Sequence, residues 1–256
     1  MMRQREVFLR PIAHRGLHGA PGGGAVENTM AAFVAARDKG YGIECDLRPG
    51  FGGLPLVFHD EDLARLISAD GPVAKLKAED LASFAFRNAP DQRIPTFAEL
   101  LALIDSTVPL LVEIKSEWTP PDHAFLSQIS QLANAYTGPI ALMSFDPDLM
   151  SVLREMSPQI PRGIVSGNYL SLDRGAPWWR NVLSPERAER LTHLLDSGPA
   201  EPSFFAYDVK SLPTPVTRYV RAVERKPIFT WTVRDDADRA NAAHFADAPI
   251  FEGFLA

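Results

Sequence analysis

Gly42-Ile43-Glu44-Cys45-Asp46 and Leu110-Leu111-Val112-Glu113-Ile114-Lys115 decide how this chain is read. Each is a short apolar run that turns polar at its C-terminal end. Glu44 and Asp46, like Glu113 and Lys115, stand two residues apart, so on an extended strand each pair shares one face. Cys45 then points the other way as a buried thiol, and Val112 and Ile114 face outward. β-type runs recur at about Val7–Ala13, Ile140–Ser144, Gly163–Ser166, Phe204–Asp208, Ile228–Val233 and Ile250–Phe254. Helical patterns lie between them at Asn28–Asp38, Thr96–Asp105, Asp122–Tyr136, Pro147–Met156, Pro185–Leu195, Pro215–Arg225 and Asp235–Phe245. Strands alternating with helices predict a parallel sheet wrapped by helices. Eight strands over 256 residues suit an α/β fold of the (β/α)8 TIM-barrel type, read as one domain over 1–256.

Two departures from regularity qualify this expectation. The connection from strand two to helix two, about 47–95, is far longer than the usual two to six residues. It predicts a small insertion: a hairpin over Gly52–Asp60 with His59 at its tip, then a helical stretch near Ala78–Phe86. After the last strand the sequence leaves no room for an eighth outer helix, which is expected to be absent or replaced by something else, and a homodimer contact is one way to cover a bare strand. Elsewhere the end signals are ordinary: Thr96 with Glu99 has capping-box spacing, and Lys39-Gly40 closes the first helix.

Composition narrows the function classes. Hydrophobic residues make up 46% and charged residues 23%, which excludes disorder as the main state. A net charge of −6 argues against a nucleic-acid partner but permits a locally positive pocket for a small anion. One cysteine excludes an internal disulfide and a cysteine-based metal site. Apolar stretches such as Pro139–Phe145 are too short for an integral membrane segment, and Met1–Glu6 lacks an apolar signal core, so a cytoplasmic location is expected.

Barrel enzymes carry their chemistry at the C-terminal ends of the strands. There the chain offers His14-Arg15, Glu44 and Asp46, Glu113 and Lys115, Ser144-Phe145-Asp146, Asp208 and Trp231. Three carboxylates at one mouth, Glu44, Asp46 and Glu113, cannot all stay ionised without a counter-charge. All-oxygen ligation points to a hard divalent ion, Mg2+ or Ca2+. The competing reading pairs these acids with Arg or Lys at the barrel rim. His14 and His59, arriving from different elements, suit a general base and a general acid. His18, His123, His193 and His244 read as structural. Arg15 and Lys115 put positive charge beside the acids, as holding a phosphoryl oxygen requires. Trp231 is either a core aromatic or a wall of the pocket, and Trp178-Trp179 either line an alcohol pocket or pack a loop. Gly22-Gly23-Gly24 lacks the lysine of a phosphate-binding loop, Ser166-Gly167 lacks the elbow of a serine hydrolase, and no His-Glu-x-x-His occurs.

Taken in order, His14-Arg15-Gly16, Glu27-Asn28-Thr29, Glu44-x-Asp46, Pro55-x-x-x-His59-Asp60-x-x-Leu63-x-Arg65, Ile94-Pro95-Thr96-Phe97, Glu113-Ile114-Lys115, Ser144-Phe145 and Trp231-Thr232-Val233 form a specific set. It spans about Ile12 to Val233 and resembles the glycerophosphodiester phosphodiesterase family. The resemblance implies a (β/α)8 barrel and metal-dependent cleavage of glycerophosphodiesters to an alcohol and sn-glycerol 3-phosphate, within lipid and glycerol metabolism. It implies His14 and His59 as the acid–base pair and Glu44, Asp46 and Glu113 as metal ligands. Arg15, Lys115 and Trp231 become substrate contacts, with Glu27 and Asn28 supporting the site. The departure is C-terminal: where relatives carry an Ile-Thr-Asp-type strand and a last helix, this chain has Pro249-Ile250-Phe251-Glu252-Gly253-Phe254. Two other readings stand beside this one: a non-catalytic barrel that binds phosphodiesters or lipid head groups, and a metal-dependent isomerase or aldolase barrel. A lysophospholipase D-like preference is a substrate variant of the first.

Overall fold

The computed structural model describes residues 6–171 and 182–256. The elements run β1 (Ile12–Ala13), α1 (Met30–Asp38), β2 (Gly42–Pro49), β3 (Pro55–Val57), β4 (Ala85–Phe86), β5 (Ala89–Arg93), α2 (Phe97–Ile104), β6 (Leu110–Ile114), α3 (His123–Ala135), β7 (Ile140–Ser144), α4 (Pro147–Met156), β8 (Arg162–Ser166), α5 (Pro185–Thr192), β9 (Phe204–Asp208), α6 (Pro215–Ala222), β10 (Ile228–Val233), α7 (Asp236–Phe245) and β11 (Ala248–Phe251). Parallel pairing runs β1-β11-β10-β9-β8-β7-β6-β2, and β1 also pairs with β2, so eight strands close a (β/α)8 TIM barrel.

Strand alternation divides the core in two. Leu111, Ala141, Met143, Val165, Ala206, Phe229, Ala248 and Ile250 fill the barrel interior with Phe8 and Phe204. Cys45, Val112, Ile114, Leu142, Ile164, Phe205 and Val233 face outward and meet the helices, which contribute Phe33, Leu100, Ile129 and Leu153. Helix starts follow their caps: Thr96 accepts from the Glu99 amide while Glu99 reaches back, and Asp122 and Asp146 cap α3 and α4. Among the described residues no helix is long and apolar enough to cross a membrane.

Three local expectations are corrected. Only Ile12–Ala13 of the Val7–Ala13 run is strand. The Leu9 and Arg10 amides donate locally, to Glu6 and Phe8, and Pro11 has no N–H for a ladder. The second strand does not stop at Asp46. It continues to Pro49 and pairs antiparallel with β3, Leu47 opposite Val57 and Pro49 opposite Pro55. The hairpin tip is therefore Gly50–Leu54, packed on α3, where Gln128 donates to the Gly52 carbonyl at 3.0 Å. His59 follows the returning strand, and the Phe58 amide donates to the Asp46 carbonyl at 3.1 Å. The hairpin thus folds His59 back onto the barrel mouth. The insertion has its own small core (Leu56, Phe58, Leu63, Ile67, Phe86 and Ile94), and Ala78–Ser83 is a 3-10 helix leading into the β4–β5 hairpin.

Among the described residues, β11 is the last regular element, and the strand is not bare. Residues 252–256 fold back over it. The Phe254 ring lies 5.2 Å from that of Phe251, Tyr41 meets Phe251 edge-on at 5.0 Å, and the Tyr41 hydroxyl donates to the Ala256 carbonyl at 2.7 Å.

Candidate active site

The first strand ends where the eighth holds it. The His14 amide donates to the Phe251 carbonyl at 2.9 Å. The chain then turns sharply, with Arg15 and Gly16 both at positive φ. A Cβ on Gly16 would lie 2.8 Å from the backbone of Ala32 on α1, so only glycine lets this turn sit against the helix. The turn aims the Arg15 amide at Glu44 Oε2, 2.9 Å away.

Glu44 and Asp46 share a face of β2, and Asp46 is directly opposite Glu113 on β6. One oxygen of each of these three buried carboxylates lies within 4.8 Å of the others. Their surroundings differ. Asp46 is met by Lys115 Nζ at 2.9 Å, by Arg15 Nε at 3.2 Å and by the Asn28 amide at 2.8 Å. Burial acts upward on its carboxyl, but Lys115 and Arg15 prevail and hold it well below the usual carboxylate range. Lys115 also touches Glu113. Glu44 has no such side-chain partner: burial first, then Asp46 and Glu113, push its carboxyl well above the usual range. Its Oε1 is buried without a hydrogen-bond partner among the described residues. Three convergent carboxylates, one of them with an orphaned oxygen, fit a hard divalent cation. The rim pairing is real too, but its side-chain contacts serve Asp46 and Glu113, and Arg15 offsets Glu44 only through its backbone amide and its more distant charge.

Both predicted histidines reach the same cavity, and each leans on a carboxylate. His14 Nδ1 is 2.6 Å from Glu252 Oε2, and its Nε2 lies 3.9 Å from Glu44 Oε2. Burial pushes the His14 imidazole below its ordinary value against the upward pull of Glu252. His59 Nδ1 is 2.7 Å from Asp60 Oδ1. Asp60 is in turn bonded by Arg65, which also donates to Glu27 at 2.7 Å, and Glu27 accepts from Arg15 Nη1 at 2.7 Å.

The cavity occupies about 830 Å³, and His14, Arg15, Glu44, His59, Glu113 and Lys115 line it together with Trp231. Asp46 is buried behind them. Trp231 packs edge-on against Phe145 at 5.2 Å and donates its indole N–H to the Ala206 carbonyl at 3.2 Å, so it is a wall of the cavity. Arg48, Glu61, Glu117, Lys210 and Arg234 extend the polar lining outward. Trp178 and Trp179 lie outside the described residues.

Sequence reasoning missed Glu252. The rule that located the other groups, a polar residue at a strand's C-terminal end, also applies to Ile250-Phe251-Glu252 on the eighth strand. Asn28 was found through its motif, but its bond to Asp46 spans elements and is visible only in three dimensions.

The model of the Glycerophosphoryl diester phosphodiesterase family matches residues 14–251. Human Glycerophosphodiester phosphodiesterase 1 is 28% identical over 157 residues, 57% of this chain and 46% of that protein. The bovine protein of the same name is 27% identical over 164 residues, 60% of this chain and 48% of its own. The chain thus spans about half the length of the curated relatives it matches. Among solved structures, an Oleispira antarctica phosphodiesterase in complex with the product sn-glycerol-3-phosphate superposes with a TM-score of 0.74 at 20% identity, covering 97% of this chain and 94% of that one. A glycerophosphodiester phosphodiesterase from Thermotoga maritima gives 0.68 at 22% identity, covering 95% and 93%. These structures share the fold. With a family match from His14 to Phe251, the chain belongs to the glycerophosphoryl diester phosphodiesterase family.

Proposed function

We propose that this chain hydrolyses glycerophosphodiesters to an alcohol and sn-glycerol 3-phosphate, using a divalent cation and two histidines. One observation carries the reading: His14 and His59, borne by different elements, line the same cavity as the carboxylates of Glu44 and Glu113. Family membership and a neighbour's complex with sn-glycerol-3-phosphate support it.

Glu44, Asp46 and Glu113 would hold the cation, which when bound supplies Lewis-acid polarisation of the phosphoryl group. Arg15 and Lys115, kept protonated by Asp46 and its neighbours, offset the charge that builds on the phosphoryl oxygens. One imidazole takes the proton of the attacking oxygen, and the other protonates the departing alkoxide. Trp231 and Phe145 give the cavity an apolar wall.

The test is release of sn-glycerol 3-phosphate from glycerophosphocholine. Release should occur with added Mg2+ or Ca2+, disappear with chelator, and return when the ion is restored. Binding of the diester with no turnover under any of these ions would overturn the reading in favour of a non-catalytic barrel. Expected substrates are small molecules, not nucleic acid.

A further inference from the structure

We infer that Glu252 is a positioning residue that fixes the tautomer of His14 and turns its Nε2 into the cavity; the inference rests on the function just proposed. Glu252 is level with His14 because Ala13 and Phe251 are in register across β1–β11 and the His14 amide is bonded to Phe251. Its own amide donates to the Val233 carbonyl at 3.1 Å, so its backbone is anchored on β10 as well. Arg234 Nε donates to Oε1 at 2.6 Å, which leaves Oε2 for His14 Nδ1 at 2.6 Å, with His18 Nε2 at 3.6 Å.

A carboxylate can only accept. Despite the upward effect of burial, His14, His18 and Arg234 hold Glu252 well below the usual range, so it is an anion. Nδ1 must therefore carry the proton, and the lone pair of neutral His14 lies on Nε2, the nitrogen nearer Glu44. Glu252 does not itself line the cavity, so it acts through His14. His14, His18 and Glu252 also lie close enough together to suggest a metal trio. However, a metal bonded at roughly 2.0–2.2 Å to nitrogen and oxygen in tetrahedral geometry needs its ligands farther apart than the His14–Glu252 separation. That contact is a hydrogen bond.

The experiment combines steady-state kinetics with 15N NMR of the imidazoles. Glu252→Gln should lower kcat by about 10²- to 10⁴-fold, the scale of losing a histidine's orienting carboxylate, while KM stays within roughly three-fold. The His14 resonances should move from Nδ1–H towards Nε2–H, because a glutamine amide can donate to Nδ1. Glu252→Asp, which keeps the charge, should recover part of kcat. In the His14→Ala background, Glu252→Ala should cost nothing further. Arg234→Ala, which removes the donor to Oε1 and leaves the Oε2 contact with His14 in place, should leave the His14 tautomer as it is. An unchanged tautomer in Glu252→Gln, or the same loss from Glu252→Ala with and without His14, would overturn the inference. If the wild-type protein released no glycerol 3-phosphate, the proposed function would fall, yet the tautomer readout would still decide the pairing.

Discussion

Asp46 and Glu113 face each other directly across the β2–β6 ladder, and Lys115 closes the gap between them, with its Nζ 2.9 Å from Asp46. The lysine thus stands in for part of the positive charge that three buried acids require. Replacing it with an isosteric neutral side chain exposes what it offsets. Lys115→Met should lower the melting temperature in chelator more than in Mg2+, so the metal-induced rise becomes larger than in the wild type. Turnover should fall by about 10²- to 10³-fold, as for loss of one donor to a developing phosphoryl charge. Equal melting temperatures with and without metal in this variant would contradict the arrangement.

Glu44 gives the metal-free protein a pH-dependent contribution of its own. Its folded carboxyl titrates well above the usual range, so between the ordinary glutamate value of about 4.3 and that raised value the folded state binds more protons than the unfolded one. Stability from this group is therefore present at low pH and lost as pH rises. In chelator, Glu44→Gln should be more stable than wild type at neutral pH, and its advantage should vanish towards pH 4. The sign is opposite for Asp46, Asp60 and Glu252, whose lowered values add stability above the ordinary range that is lost on acidification. Thermal melts of both proteins across pH 4–8 check the crossing.

The cation itself is tested by ligand-linked stabilisation. At an ion concentration about 100 times its Kd, the wild-type protein should gain about 2.7 kcal/mol. Glu44→Gln and Glu113→Gln should lose most of that gain, whether or not substrate is present. A full metal response in both variants would remove these carboxylates from the ligand set.

Much of the site was legible because strand periodicity carries it. Glu44, Asp46, Glu113 and Lys115 follow from i, i+2 spacing and the rule that barrel chemistry gathers at C-terminal strand ends. The hairpin was misplaced for a related reason: Leu47-Arg48-Pro49 continues the extended run beyond the last acid, and nothing local marks where barrel strand becomes hairpin arm. The antiparallel return nevertheless brings His59 back beside Asp46 and into the same cavity as His14. The Glu252–His14 and Arg65–Glu27–Arg15 contacts join residues far apart in sequence, and no periodicity encodes them.

His14 and His59 are the groups whose loss should be felt first in chemistry. His59→Ala removes a partly exposed ring and should leave the melting temperature nearly unchanged while turnover falls by about 10²- to 10⁴-fold. His14→Ala should lower turnover on the same scale, and because His14 is buried it should also cost some stability. Circular dichroism and melting curves beside the kinetics separate the two effects. Near-normal turnover in either variant would refute the acid–base assignment.

Arg65 ties the insertion to the barrel. One guanidinium contacts Asp60, which holds His59, and Glu27, which holds Arg15 against Asp46. The side chain is about half exposed, so as an ion pair it should contribute little stability, within about 1 kcal/mol. Its effect on the site should be larger, because without it Asp60 and Glu27 can swing to solvent and loosen both an imidazole and a phosphate contact. Arg65→Ala should therefore lower kcat and raise KM together, each by about ten-fold, a modest share of what a 1 Å misplacement costs. Arg65→Lys should not restore either, since an ammonium cannot span two carboxylates with a planar fork. A variant that lost stability but kept both kinetic constants would mark Arg65 as a surface tether, with His59 and Arg15 held by the backbone alone.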